Sequence, residues 1–337
     1  MTDGNPILVT GAAGFIGHAV SERLLARGER VIGVDNFTDY YDVALKKARM
    51  TRLADNPDFR LIDGDVASPG LVAELVAANG VRRIVHLAAQ AGVRYSLDNP
   101  FAYEHSNLKG HLAVLEAVRH AGDVEHLVYA SSSSVYGDRP IGGAGFREDE
   151  PCIAPVSLYA ATKRSCELMS QSYATLYGLP LSGLRFFTVY GPWGRPDMAY
   201  YGFTRKILLG QPIEVYGEGR MARDFTYIDD IVDGVVGVLD RPPSRGEHRL
   251  LNIGDCNPVG LMDMIAMIER ALGRPAIKQM RPMQPGDVTA TYADISAIRA
   301  LTGYSPKVPL ARGIERFVDW YLSEIERGGR GPMAAVA

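Results

Sequence analysis

The segment ILVTGAAGFIG, residues 7–17, constrains this chain more than any other stretch. A short apolar run, Pro6–Thr10, passes directly into a turn carrying Gly11, Gly14 and Gly17. Phe15–Ala26 then repeats apolar residues at helical spacing, and Gly28 ends the helix. A strand that turns on glycines into a helix is built to receive an anion. The first glycine makes the turn, the second lets backbone approach a pyrophosphate, and the third permits close helix–strand packing. The helix N-terminus supplies the positive end of a dipole. The spacing departs by one residue from GxGxxG, so the motif carries weight through its context.

That context recurs along the first half. Strand patterns fall at Arg30–Asp35, Phe59–Asp65, Arg83–Ala89, His126–Ser131 and Leu181–Val189. Helical patterns fall at Val72–Ala78, Phe101–His120 and Leu158–Tyr177. Apolar strands alternating with helices predict an α/β fold, a Rossmann-type doubly wound parallel sheet with its ligand beyond the carboxyl ends of the strands. The second half is less regular. Gly191–Arg223 is rich in Gly, Pro and Tyr. Helices are expected at Phe203–Leu209, Asp229–Leu239, Leu261–Leu272 and Leu310–Ser323, and short strands at Ile213–Tyr216, Leu250–Ile253 and Ile277–Arg281. The expected organisation is a dinucleotide-binding domain over residues 1–190, rejoined by 225–258. A smaller α+β substrate lobe takes 191–224 and 259–325, and 326–337 form a tail without fixed structure.

Composition excludes several classes. Lys and Arg number 36 against 39 Asp and Glu, a net charge of −3, which argues against nucleic-acid or polybasic membrane partners. No apolar run reaches the length of a spanning helix, and the N-terminus does not resemble a signal peptide. Cys152, Cys166 and Cys256 fit neither a zinc ribbon nor a disulfide framework, so a reducing, cytoplasmic setting is expected. The seven histidines offer no HxxxH pair, and no metal is expected. His18, His86 and His105 read as packing residues.

Asp35 ends the second strand. A carboxylate there accepts both ribose hydroxyls and repels a 2′-phosphate, and no arginine adjoins it, so NAD is favoured over NADP. Asp65 ends the third strand and either meets the adenine edge or shapes a turn. Phe15, Ile16, Asn36, Val66, Leu87, Ala88 and Ala89 are expected along the same cleft. A serine-rich strand end, Ala130–Gly137, contains Ser132. Further on, Tyr159 and Lys163 stand at i and i+4 near a helix start, on one face. A lysine ammonium beside a phenol favours its anion, so the pair can take a proton from a hydroxyl.

TGAAGFIG, LAAQAGVRYS, SSSSVYG, YAATK, LRFFTVYGP and RDFTYIDD follow one another in an order that resembles the extended short-chain dehydrogenase/reductases of nucleotide sugars, to about Leu322. Asp35–Arg49, Gly191–Tyr201 and Gln284–Asp294 are most similar to the UDP-glucuronate 4-epimerases within that family. The resemblance implies NAD, tightly held and not consumed, and interconversion of UDP-glucuronate and UDP-galacturonate through a 4-keto sugar. It implies Tyr159 as acid and base at the 4-hydroxyl, Lys163 tuning Tyr159 and holding the nicotinamide ribose, and Ser132 bonded to the reacting oxygen. It makes Arg195 the clamp on the sugar carboxylate, helped by Thr188, Ser133 and Ser134. Ser133 and Ser134 stand where related decarboxylases and dehydratases carry acids, which favours simple epimerisation.

Arg223 would face the diphosphate, with Asp287 nearby, and backbone around Ile213–Tyr216, Val215 among it, would meet uracil. Where relatives carry a second phosphate arginine this chain has Gln284-Pro285, leaving Arg220 or Arg281 as substitutes. A homodimer through the helices at 101–120 and 158–177 is implied too. Kept open are a UDP-glucose/UDP-galactose 4-epimerase, a UDP-glucuronate decarboxylase and a catalytically silent NAD-sensing protein.

Overall fold

A computed structural model describes residues 4–138 and 144–327. Twelve strands occur among them: β1 Ile7–Thr10, β2 Val31–Asp35, β3 Phe59–Asp63, β4 Arg83–His86, β5 His126–Ser132, β6 Leu181–Phe186, β7 Thr188–Tyr190, β8 Ile213–Val215, β9 Ala222–Tyr227, β10 His248–Ile253, β11 Pro258–Gly260 and β12 Lys278–Met280. Seven form one parallel sheet in the order β10-β6-β5-β4-β1-β2-β3. β1 and β2 are buried at every residue, the reason both read as unbroken apolar runs. Their register pairs Ile7 with Val31, while Ile7 meets Arg83 of β4 on the other side. The chain winds outward both ways from β1, so the crevice between β1 and β4 opens at the carboxyl ends.

Helix α1, Phe15–Ala26, leaves Gly14 and packs on one face of the sheet beside a helix at Ile228–Leu239. Ile7, Val9, Val20, Leu24 and Val128 belong to the core there, which continues to Met264, Phe317 and Tyr321. Leu8, Ile32 and Val34 point the other way, onto Val72, Leu75 and Val114. That alternation is the period-two geometry of a strand. Beyond the main sheet lie a smaller sheet in the order β11-β9-β7 and a parallel pair β12-β8.

Three expectations change. Leu181–Val189 is two strands: the chain leaves the main sheet at Phe187, whose N–H donates to the Ile253 carbonyl, and re-enters the small sheet as β7 beside β9. The long helix expected at Phe101–His120 is broken by a π-helical segment, Glu104–Lys109, before helix Gly110–Ala121. The final helix, Leu310–Arg327, runs past Ser323. Glu326 and Arg327 are therefore helical, and the remainder of the expected tail, 328–337, lies outside the described residues. The sequence also concealed a helix at Val43–Thr51, started by Asp42, whose carboxylate accepts the Ala44 N–H at 2.8 Å.

Candidate active site

A cavity of about 640 Å³ opens along the carboxyl ends of the sheet and is also lined by residues of the second half of the chain. Gly11, φ +70°, turns the chain out of β1; a Cβ there would lie 2.7 Å from the Ala88 nitrogen. A Cβ at Gly17 would lie 2.0 Å from the Gly11 carbonyl oxygen. The glycines thus let loop, helix and the strand beyond meet without side chains between them. Gly14, Phe15 and Ile16 line the cavity at the N-terminus of α1. Asp35 closes one end: Oδ2 accepts the Ala13 N–H at 3.0 Å and Oδ1 the Phe37 N–H at 2.9 Å. Each oxygen keeps a lone pair for a ligand hydroxyl. Asn36, Val66, Leu87, Ala88 and Ala89 also line the cavity. A glycine cradle, a helix N-terminus and a bidentate acceptor fit a dinucleotide with free ribose hydroxyls.

Ser157 caps helix Leu158–Tyr177 by accepting the Ala160 N–H at 3.1 Å, which starts the helix just before Tyr159. Tyr159, Lys163 and Ser132 all line the cavity. Lys163 is buried and its Nζ donates to the Ala130 carbonyl at 2.9 Å. Ser132 Oγ accepts the Ser134 N–H at 3.2 Å and donates to Ser134 Oγ at 3.1 Å. Beneath them Glu167 and Arg185 form a fully buried pair with two bonds, Nε to Oε1 at 2.8 Å and Nη2 to Oε2 at 2.9 Å. Ser131 Oγ donates to the same Oε1 at 2.7 Å. Burial opposes the Glu167 charge, yet Arg185 holds the carboxyl below its usual range.

Several site residues escaped the sequence reading. Asn107, in the π segment, accepts the Gln90 N–H at 2.8 Å and donates to Thr162 Oγ1 at 3.0 Å, joining the loop after β4 to the helix of Tyr159. Tyr103 stands edge-on to the Tyr159 ring, centroids 6.0 Å apart. Arg49, wholly buried, donates to Ala13 O at 2.9 Å and to Trp193 O at 2.6 Å. It thereby ties the glycine turn to the loop of Arg195. Lys46 lines the cavity; burial pushes its pKa down, and Nζ donates to the Thr38 carbonyl at 2.7 Å. A periodic pattern marks none of these, because each acts across elements distant in sequence.

Ser133, Ser134, Thr188, Arg195, Arg223 and Asp287 also line the cavity. Arg223 donates to the Ala222 carbonyl at 2.8 Å, and burial lowers its pKa. Arg220 and Arg281 do not line it; they pair instead with Glu218 at 3.2 Å and Glu214 at 3.4 Å. Arg94 does, paired with Asp287 at 3.2 Å and 5.0 Å over the Tyr216 ring. Its only sequence signal was the LAAQAGVRYS segment.

One expected contact is corrected, and Asp65 takes the turn role kept open for it: its carboxylate accepts the Ala67 N–H at 2.8 Å and the Asn36 amide at 3.2 Å and pairs with His105 Nε2 at 2.8 Å, between the cavity-lining Gly64 and Val66. Val215 faces the core with no exposed surface, and its carbonyl accepts the Arg281 N–H at 2.9 Å. Strand alternation presents Glu214 and Tyr216 to the cavity instead.

A doubly wound sheet whose glycine turn, acidic strand end and Ser/Tyr/Lys group share one cleft defines a dinucleotide-dependent α/β protein of the short-chain dehydrogenase type. The chain belongs to the NAD-dependent epimerase/dehydratase family, whose sequence profile matches residues 7–254. It is 46% identical to a probable UDP-glucuronate 4-epimerase of Rhizobium meliloti, over 95% of this chain and 98% of that one. It is 44% identical to UDP-glucuronate 4-epimerase 2 of Arabidopsis thaliana, over 99% of this chain and 79% of that one. It also superposes on a crystal structure of UDP-glucuronic acid 4-epimerase from Bacillus cereus with UDP-glucuronic acid and NAD. The TM-score is 0.88 at 35% identity, covering 94% of this chain and 99% of that one. Among the described residues, no helix is long and apolar enough to cross a membrane.

Proposed function

We propose that this protein is an NAD-dependent 4-epimerase, an isomerase interconverting UDP-glucuronate and UDP-galacturonate. The reading rests on one cavity that joins the glycine cradle to Tyr159, Lys163 and Ser132 and is lined by Arg195, Arg223 and Arg94 as well. Bound NAD supplies a reversible hydride acceptor beside the sugar C4. Tyr159 takes the 4-hydroxyl proton and returns it to the same oxygen after inversion. Ser132, released from Ser134, donates to that oxygen in the 4-keto intermediate. Lys163 keeps two N–H groups beyond its bond to Ala130, one for Tyr159 and one for a ribose hydroxyl. Arg195, with Thr188, Ser133 and Ser134, holds the sugar carboxylate. Arg223 and Arg94 hold the diphosphate, and Asp287 fixes Arg94.

Oxidation and reduction cancel over a turnover, so NAD stays bound throughout. Residues 1–190 and 225–258 form the NAD-binding domain, and 191–224 with 259–325 the UDP-sugar lobe. A homodimer is supported by apolar side chains left open on the two long helical segments: Phe101 at 79%, Leu112 at 39%, Leu168 at 55% and Leu176 at 66% exposure. A cytoplasmic setting agrees with three free thiols. Proton NMR of the purified protein with UDP-glucuronate and no added cofactor tests the reading. Signals of UDP-galacturonate are expected; a UDP-pentose as sole product, or no reaction, would overturn it.

A further inference from the structure

Arg195 does not stand alone. Its guanidinium lies edge to edge with Asp197, Nε 3.0 Å from Oδ1 and Nη2 2.5 Å from Oδ2. The Tyr40 hydroxyl donates to the same Oδ2 at 3.1 Å. Tyr40 sits in the loop after β2 and Asp197 in the loop after β7, so one carboxylate ties the cofactor half to the lobe. Gly92 makes the room: a Cβ there would lie 2.7 Å from the Tyr40 hydroxyl. Tyr40, Asp197 and Arg195 all line the cavity.

We propose that Asp197, assisted by Tyr40, is a positioning residue that decides the reaction outcome by holding Arg195 along one edge and presenting its other edge to the substrate carboxylate. The inference rests on the UDP-glucuronate reading and on Arg195 as the clamp. A guanidinium on a flexible stem samples many orientations, whereas a two-bond carboxylate pair leaves it one plane. The pair occupies Nε and one Nη2 hydrogen. Both Nη1 hydrogens and the second Nη2 hydrogen stay available.

Orientation matters because a 4-keto glucuronate is a β-keto acid. Its C5–C6 bond breaks when aligned with the ketone π system. Carbon dioxide then leaves with C6, the electron pair passes to C5 and into the ketone, and C5 takes a proton from water. A clamp in one fixed plane keeps the carboxylate out of that alignment. The Asp197 charge has an opposite effect on affinity, since it stands near the incoming carboxylate and repels it.

These two effects separate in experiment. Asp197→Asn keeps the size and removes the charge. The expected result is a severalfold lower KM for UDP-glucuronate. Alongside it, the ratio of carbon dioxide to epimer should rise about tenfold, equivalent to about 1.4 kcal/mol of lost orientation. Tyr40→Phe should raise that ratio by a smaller factor without lowering KM. Binding of UDP-glucose, which lacks the carboxylate, should change with neither. A raised KM with a wild-type product ratio, or wild-type values for both variants, overturns the proposal. Should Asp197→Asn fail to fold, Tyr40→Phe decides alone: an unchanged ratio rejects the latch. Wild-type protein inert on UDP-glucuronate removes the underlying reading, and the latch falls with it.

Discussion

Replacing Tyr159 by Phe deletes one oxygen from the cavity wall and leaves the ring against Tyr103. Turnover should fall at least about 10²-fold, the lower end of what a positioned acid–base group contributes. NAD released from the denatured protein, assayed by chromatography, should match wild type. Normal turnover by this variant would falsify the assignment of Tyr159. Gly17→Ala acts on a different group. Its methyl would press on the Gly11 carbonyl, 2.0 Å away, and backbone cannot swing aside as a side chain can. The variant should be purified without NAD and be destabilised by about 1–3 kcal/mol, read from urea midpoints. Arg94→Ala should raise KM for UDP-sugars about tenfold with kcat little changed, since it removes one charged contact shared by ground and transition states. An unchanged KM would return Arg94 to a surface role. Tyr159, Lys163 and Gly17 were readable because local spacing displays them. Arg94 was not, because only the fold shows how far its side chain reaches.

Elements carry the site through buried polar contacts. The helix bearing Tyr159 and Lys163 is fastened to β5 and β6 by Glu167, through Ser131 and Arg185. Glu167→Gln leaves the Arg185 charge buried without its counter-ion, which should cost about 3–5 kcal/mol. Equilibrium unfolding checks this, and a loss under 1 kcal/mol would show that the network is dispensable. At the end of β4, His86 is buried, with Nδ1 2.7 Å from Thr10 Oγ1. Burial, then the Lys163 charge, lower its pKa to about 3. The unfolded chain therefore binds the proton more readily than the folded one. Stability from this group is complete above pH 6.5 and declines as pH falls from there towards 3. His86→Asn should flatten the stability slope between pH 6.5 and 5 whatever it does to stability at pH 7. A slope as steep as wild type would place the titration elsewhere.

At the scale of the whole molecule, the helix Leu158–Tyr177 faces two ways. Lys163 and Glu167 turn inward, while Leu168 and Leu176 lie open. Introducing Glu at both open positions should convert a dimer to monomers in light scattering after gel filtration, with the fold retained by circular dichroism. A wild-type protein already monomeric at micromolar concentration would end the dimer proposal. The path of the chain between sheets is also decided at this scale. Phe187 turns one apolar run out of the main sheet into the smaller one, and β10 brings a late segment back beside β6.

Periodicity and glycine spacing were enough to establish the parallel sheet, the dinucleotide turn and the Tyr159–Lys163 face, because backbone geometry within a few residues dictates each. Asp35 was legible for the same reason, standing at the end of an apolar strand. Tertiary structure alone turned Val215 to the core, broke the helix at Asn107, and brought Tyr40, Arg94 and Asp197 to the cavity wall. Those outcomes depend on which distant groups compete for the same hydrogen bonds and the same space, and no local pattern encodes that competition.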